Sequence, residues 1–452
     1  MSLLKRVEKT QSTNPREIAI KILHDVEVND TFTHQSILSF SKNLYLSSLD
    51  RRFLRELVHG TIKMRRRLDF VLGLFLEKKL EGLTPMIRNI LRMGVYQIDF
   101  LTKVPESAAV DESVKLAKKF GHKGTVALVN AVLRSYLRDK SQVSFPSWEK
   151  DKVENISLFY SFPSWVVEGW LGIFGEEQTI KLCQAFNKRP RLCCRMNSLK
   201  IDHKGLEEIF KREKIKFKPS KFLKGFYSIE SKVDLDRFVP LQKGLIYFQD
   251  ESAGFPVMLL DPQPGDYIVD LCAAPGGKST FIAERMSDQG LVLAVDISAK
   301  KLNMVRENCQ RLGVRSVALC CADAKDFSCH PVDKILIDAP CSALGTLGRN
   351  PDARWRKQKE DPSRLQKLQL EILSNAAELL KDGGILVYST CTITPEENEQ
   401  VIEKFLEQRK DFRVAEGSHF VDFGVVDQNG MVRTLPHVHK MDGSFACRLE
   451  KV

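Results

Sequence analysis

"DLCAAPGGKST", residues 270–280, ends like a phosphate-cradling P-loop, G-x-x-x-x-G-K-[ST], whose glycines let backbone N–H groups close on phosphates. That pattern needs a glycine five positions before Gly277, and the position holds Cys272. The stretch therefore stands between two kinds of α/β nucleotide site, and the strands after it decide. A P-loop enzyme could use "KILIDAP" (334–340) as its second motif, with Asp338 near magnesium. Against this, "LVLAVDI" (291–297) carries Asp296, 19 residues after Gly277, where a carboxylate can accept bonds from both ribose hydroxyls of a nucleoside. The strand after it leads to Asp323, where an acid can accept from an adenine amino group. Asp296, Asp323 and Asp338 each close a strand. Singly they are ordinary turn or cap aspartates, but together they suit a nucleoside lying across the strand ends.

Around this stretch the pattern is apolar strands alternating with amphipathic helices: "YIVDLC", "LVLAVDI", "SVALCCA", "KILIDAP" and "GILVYST", separated by segments such as "SAKKLNMVRENCQRLG". Short β-rich runs buried on both faces, with helices between, predict an α/β domain with a doubly wound, mostly parallel, Rossmann-like sheet over 241–452. Residues 1–140 read as all-helical ("REIAIKILHDV", "MIRNILRMGVYQIDFL", "VALVNAVLRSYL"). The polar stretch 141–157 reads as a linker, and 158–240 as a small α+β RNA-binding or connecting domain.

The 452 residues hold 69 Lys+Arg against 58 Asp+Glu, a net +11 that favours polyanions such as nucleic acid. In "RRFLRELVHGTIKMRRRLDF", Arg51, Arg52, Arg55, Lys63, Arg65, Arg66 and Arg67 fall on successive turns, dense enough to suggest phosphate contact rather than only a solvated face. A second run, "KREKIKFKPSKFLKG", holds seven cations and one acid. No apolar run approaches the ~18–20 residues of a membrane span, and "MSLLKRVEKTQSTNPRE" lacks the apolar core of a signal peptide, so a cytoplasmic protein is expected. The 11 cysteines have no disulfide-framework spacing. Cys309, Cys320, Cys321, Cys329 and His330 lack zinc-like spacing, so no metal is expected.

"DLCAAPGGKST", "DAPCSALGTLGRNPDARWR" and "YSTCTITPEENE", in that order, resemble the motif set of the S-adenosylmethionine-dependent RNA cytosine carbon-5 methyltransferases. "FQDESAG" and "LPHVHKMDGSFACRL" are similar to that family's flanking segments. The helical part, closed by "VNAVLR", resembles the RNA-binding NusB-like domain, and the pairing is similar to the ribosomal RNA small-subunit methyltransferase B group. The chain departs from the common pattern at Ala343-Leu344, Gly348 and Ser444.

The resemblance implies a fold, a cofactor and roles. S-adenosylmethionine would lie against Cys272, Ala273, Ala274, Pro275, Gly276, Gly277, Lys278, Asp296, Asp323 and Asp338. Carbon-5 of cytosine is a poor nucleophile until a thiolate adds at carbon-6, which makes carbon-5 carbanion-like. In RNA enzymes of this type the Thr-Cys thiol attacks, which makes Cys391 the nucleophile, and the Pro-Cys thiol, Cys341, assists product release. Asp338 would hold the base edge or approach the cofactor, and Lys278 would orient the base or a carboxylate, or serve only as a nearby cation that lowers the Cys391 thiol pKa. Arg349, Arg354, Trp355 and Arg356 could meet phosphates and stack on a flipped base. Thr394-Pro395-Glu396-Glu397 reads as a helix start, with Glu397 closing a capping box. The implied partner is small-subunit ribosomal RNA, bound by a monomer. The alternatives are transfer RNA as substrate, or a non-enzymatic assembly factor.

Overall fold

The computed structural model describes residues 14–41 and 46–452. The reading of the first 13 residues lies outside this range. The chain divides into two compact units, one running to Asn187 and including Asn350–Arg356, the other Lys188–Arg349 with Lys357–Val452.

The first unit is helical: α1 (Pro15–Val28), α2 (Thr33–Ser41), α3 (Ser48–Lys63), α4 (Arg65–Phe75), α5 (Pro85–Phe100), α6 (Glu106–Phe120), α7 (Lys123–Asp139), α8 (Lys152–Tyr160) and α9 (Ser164–Asn187). Helix α5 packs against α1, α3, α4, α6 and α7. It is buried nearly all round from Asn89 to Ile98, with Ile87, Ile90, Leu91, Met93, Val95 and Ile98 all in the core, as expected of a central helix. Its one deeply buried cation, Arg92, is held by Asp69 (2.6 Å) and Glu27 (3.1 Å). The expected linker is partly helix. Asp151 caps α8 by accepting from Glu154 N at 2.9 Å, and α8 buries Ile156 and Leu158. A composition reading overlooks such a short, capped helix. Helix α9, bent at Gly175 (φ 72°), also belongs to this unit.

The second unit holds two sheets. Strands β1 (Leu192–Met196), β2 (Phe217–Pro219), β3 (Phe226–Ile229) and β4 (Ile246–Phe248) form a small antiparallel sheet in the order β2-β3-β1-β4. The large sheet comprises β5 (Tyr267–Leu271), β6 (Leu291–Asp296), β7 (Val317–Cys321), β8 (Val332–Asp338), β9 (Leu380–Thr390), β10 (Phe412–Val414), β11 (Val432–Thr434) and β12 (Ser444–Lys451). Its order is β10-β12-β9-β8-β5-β6-β7, with β11 against β12; β5 to β9 are parallel, and β12 runs antiparallel to β9. Alternate residues enter opposite cores: Ile268, Val292 and Leu336 on one face, Val269, Val295 and Ile337 on the other. The doubly wound sheet follows from this two-sided burial. Because β5 lies between β6 and β8, the strand order reverses there, opening a crevice at the carboxyl ends. Among the described residues no helix is long and apolar enough to cross a membrane.

Candidate active site

Strand β5 ends at Leu271, and the chain turns at Cys272, whose φ of 61° lies in the left-handed region. This is the position a P-loop gives to glycine; here a cysteine takes the conformation at a cost of about 1 kcal/mol. Gly276 (φ 95°) lets the turn approach the helix Ala299–Leu312, since a Cβ there would sit 2.8 Å from Val305 Cγ1. The helix Gly277–Arg285 is fixed from β1. Buried Arg195 donates to Gly277 O (2.8 Å) and pairs with Glu284 (2.7 Å). Beneath the turn, fully buried Asp270 accepts from Ser279 Oγ at 2.5 Å, and burial lifts its carboxyl to about 7.

Asp296 Oδ2 accepts from Ala274 N (3.2 Å) and its Oδ1 from Ser298 N (2.9 Å), so this acid ties the turn after β5 to the turn after β6. Beside it, Ile297 is 69% exposed. Asp323 Oδ1 accepts from Lys325 N at 3.1 Å. Both carboxylates do turn work, yet each retains acceptor capacity. Acceptors beside an exposed apolar side chain suit a nucleoside that donates hydroxyl and amino hydrogens. Clustered carboxylates repel a triphosphate. The residues therefore fit the expected cofactor.

Strands β8 and β9 are parallel neighbours with Asp338 opposite Ser389, so the turns after them carry Cys341 and Cys391 side by side. Their Sγ atoms lie 3.3 Å apart. Gly345 N donates to Cys391 O (3.0 Å) and Gly443 N to Gly345 O (2.8 Å). A Cβ on Gly345 would lie 1.9 Å from Gly443 O, so only glycine allows these turns to close together. Lys278 pairs with Asp338 Oδ2 at 2.6 Å. Burial alone would depress the Lys278 ammonium, but Asp338, with help from Asp270 and Cys391, holds it above its ordinary value. The hydrogen bond to Cys391 and burial, followed by the charges of Cys391 and then Glu397, push the Cys341 thiol well up. The two thiols are within hydrogen-bond reach, and either can be the donor.

Glu397 does not close the expected capping box. It is fully buried, and its carboxylate accepts from Ser342 N (2.7 Å), Ser342 Oγ (2.5 Å), Thr394 Oγ1 (2.8 Å) and Gln369 Nε2 (3.1 Å). The Pro395–Glu397 turn is a single 3-10 turn, and with no longer helix at that point the side chain is free to point inward. No pattern in the sequence separates this role from capping.

The arginine-rich loop also differs from expectation. Arg354 is fully buried, donating to Ser161 O (3.1 Å), Asn187 Oδ1 (2.9 Å), Phe186 O (3.3 Å) and Lys63 O (3.3 Å). Trp355 Nε1 donates to Ile62 O at 2.7 Å, and Arg356 Nη2 to Thr31 O at 2.7 Å. These side chains build the helical unit and are not available to stack on a base. Arg349 bridges Asp250 and Asp442, each at 2.5 Å. Part of the cationic helix run is similarly engaged, since Arg66 pairs with Glu154 (2.6 Å) and Arg67 lies over Phe145 and Phe159, whereas Arg55 is exposed. By contrast Lys211, Arg212, Lys214, Lys216, Lys218, Lys221 and Lys224 are all exposed. Among the described residues no group of three or more His, Cys, Asp or Glu is arranged to hold a metal.

Comparison with known proteins places three descriptions along the chain: the NusB family at residues 13–138, a ferredoxin-like domain of methyltransferase RsmF/B type at 162–236, and 16S rRNA methyltransferase RsmB/F at 257–450. A Bacillus subtilis relative is 34% identical, covering 98% of this chain and 99% of its own length. One from Synechocystis is 37% identical, covering 96% and 99%. Both are described as "Probable ribosomal RNA small subunit methyltransferase B". The crystal structure of PH0851 superposes with a TM-score of 0.79 at 27% identity, over 97% of this chain and 99% of that one.

Proposed function

The chain belongs to the 16S rRNA methyltransferase RsmB/F family, and from that premise we propose that it methylates carbon-5 of one cytosine in small-subunit ribosomal RNA through a covalent adduct with Cys391. S-adenosylmethionine, when bound, supplies the methyl group. It would be held by the turn Cys272–Gly277, by Lys278 and by the carboxylates of Asp296, Asp323 and Asp338. The observation that carries the reading is the pair of thiols 3.3 Å apart at the ends of neighbouring strands, beside the Lys278–Asp338 pair.

Cys391 Sγ bonds to carbon-6, and the ring's electron pair moves to carbon-5, which takes the methyl group. Loss of the carbon-5 proton to a base then reforms the double bond and expels the Cys391 sulfur. Cys341 Sγ, 3.3 Å from Cys391 Sγ, is placed to donate its proton in a hydrogen bond to that departing sulfur, which supports a role in release. Asp338 Oδ2 is taken by Lys278, while Oδ1 has only a long contact from Ser389 Oγ (3.4 Å) and can face the base's N3 and amino edge. Exposed cations, Arg55 in the helical NusB-like unit and those of residues 211–224, supply phosphate contacts away from the chemistry, in a cytoplasmic monomer.

Incubating the protein with small-subunit RNA and labelled S-adenosylmethionine, then digesting the RNA to nucleosides, tests this reading. 5-Methylcytidine is the expected product. Label on another nucleoside, or on transfer RNA in preference, refutes it.

A further inference from the structure

Cys341 sits on a turn that must hold its thiol against Cys391, and the structure assigns that task to a buried carboxylate remote in sequence. We propose that Glu397 is a positioning residue that locks the Cys341 turn for the release step. This inference rests on the roles given above to Cys391 and Cys341. Ser342 follows Cys341 directly, and both its N–H and its hydroxyl donate to Glu397. Pro340 precedes it, and its carbonyl accepts from Gln369 Nε2 (3.0 Å), the same amide that donates to Glu397 (3.1 Å). Both neighbours of Cys341 are thus tied to one carboxylate, directly or through Gln369.

The other end of Glu397 reaches the Cys391 side. Its carboxylate accepts from Thr394 Oγ1, and its backbone oxygen from Tyr388 Oη at 2.7 Å, on β9 just before Cys391. Ser342 Oγ also meets Thr392 Oγ1 at 2.8 Å. All of Ser342, Gln369, Thr392 and Glu397 are fully buried, so bulk water does not compensate for a lost bond. Glu397 itself makes no bond to either sulfur. It acts by setting the turns, and its charge favours the protonated Cys341 thiol.

The consequence is specific to one step. Weakening the lock leaves Cys391 attack and methyl transfer in place but slows expulsion of Cys391, so protein accumulates on RNA. In Glu397→Gln the neutral amide offers one acceptor oxygen and turns an N–H toward groups that donate. Four full-length proteins are compared: wild type, Glu397→Gln, Ser342→Ala and Cys341→Ala. Each is incubated with RNA and S-adenosylmethionine, and the denaturation-resistant adduct and the turnover are read together.

Glu397→Gln is expected to raise the adduct fraction and lower turnover about tenfold, with single-turnover methyl transfer and S-adenosylmethionine affinity unchanged. Ser342→Ala, a smaller change that removes only the hydroxyl bond, should move both in the same direction by less, and it carries the decision if Glu397→Gln does not fold. A purely structural role would lower methyl transfer and adduct together. That result, or wild-type adduct levels in both variants while Cys341→Ala accumulates it, overturns the assignment to Glu397. Absence of adduct in Cys341→Ala instead overturns the release role of Cys341, and the positioning role with it.

Discussion

Replacing Arg195 by methionine strikes the helix under the cofactor turn without touching the turn itself. Arg195 and Glu284 are an ion pair with side chains each 1% exposed, and the guanidinium also serves Gly277 O, Thr280 Oγ1 and Gln249 Oε1. Its carbon atom lies 4.6 Å from the Phe281 ring centroid. Removing one partner of such a pair strands the other charge in a dry site, which costs about 3–5 kcal/mol. Methionine restores most of the apolar volume, so lost charge dominates lost packing. Hydrogen exchange in residues 277–285 should therefore quicken roughly a hundredfold or more.

The defect has a pH signature. Burial already holds the Glu284 carboxyl above its ordinary value, with Arg195 opposing that rise. Without Arg195 it rises further. The folded state then keeps a proton that the unfolded chain releases above that value, so the defect is small in acid and grows as pH rises through the range between the two values. Adding Glu284→Leu removes the stranded charge, and the double variant should be more stable than Arg195→Met alone. Additive losses, or a defect independent of pH, would refute the argument.

Cys391→Ala is expected to abolish both methylation and the covalent adduct, read on one denaturing gel; adduct in that variant with none in Cys341→Ala would reverse the two roles. Asp296→Ala should weaken S-adenosylmethionine about ten- to a hundredfold by calorimetry, through loss of bonds to a charged acceptor; unchanged affinity, or micromolar ATP binding that survives the change, would sink the nucleoside-site reading. Arg354→Met should cost the helical unit about 3 kcal/mol by leaving several buried acceptors without a donor. Trp148, Trp165, Trp170 and Trp355 all lie in that unit, so tryptophan fluorescence during urea unfolding reports on it, and an unshifted midpoint would contradict the buried role.

Sequence alone reached whatever depends on local pattern. The five parallel strands were legible because burial on both faces leaves continuous apolar runs, and the motif-bearing turns followed because chemistry in such sheets sits at carboxyl ends. Cys272 and Asp296 together argued against the P-loop without any coordinates, although the structure adds that position 272 is left-handed, as glycine would be. The antiparallel β12, which pairs with β9 in the large sheet, was not foreseen, since its "SFACRLEK" was read only as a flanking motif.

What a charged side chain does was decided by tertiary structure. Arg354 and Lys221 look alike in sequence, both basic residues in basic loops. Arg354 is buried among carbonyls of the helical unit, while Lys221 is exposed. The same holds for Glu397, whose spacing from Thr394 fits a cap, but whose partners lie 28 and 55 residues away at Gln369 and Ser342. Periodicity encodes which face of an element is buried. It does not encode which distant donors meet an acceptor there, because those are brought together only when separate elements pack.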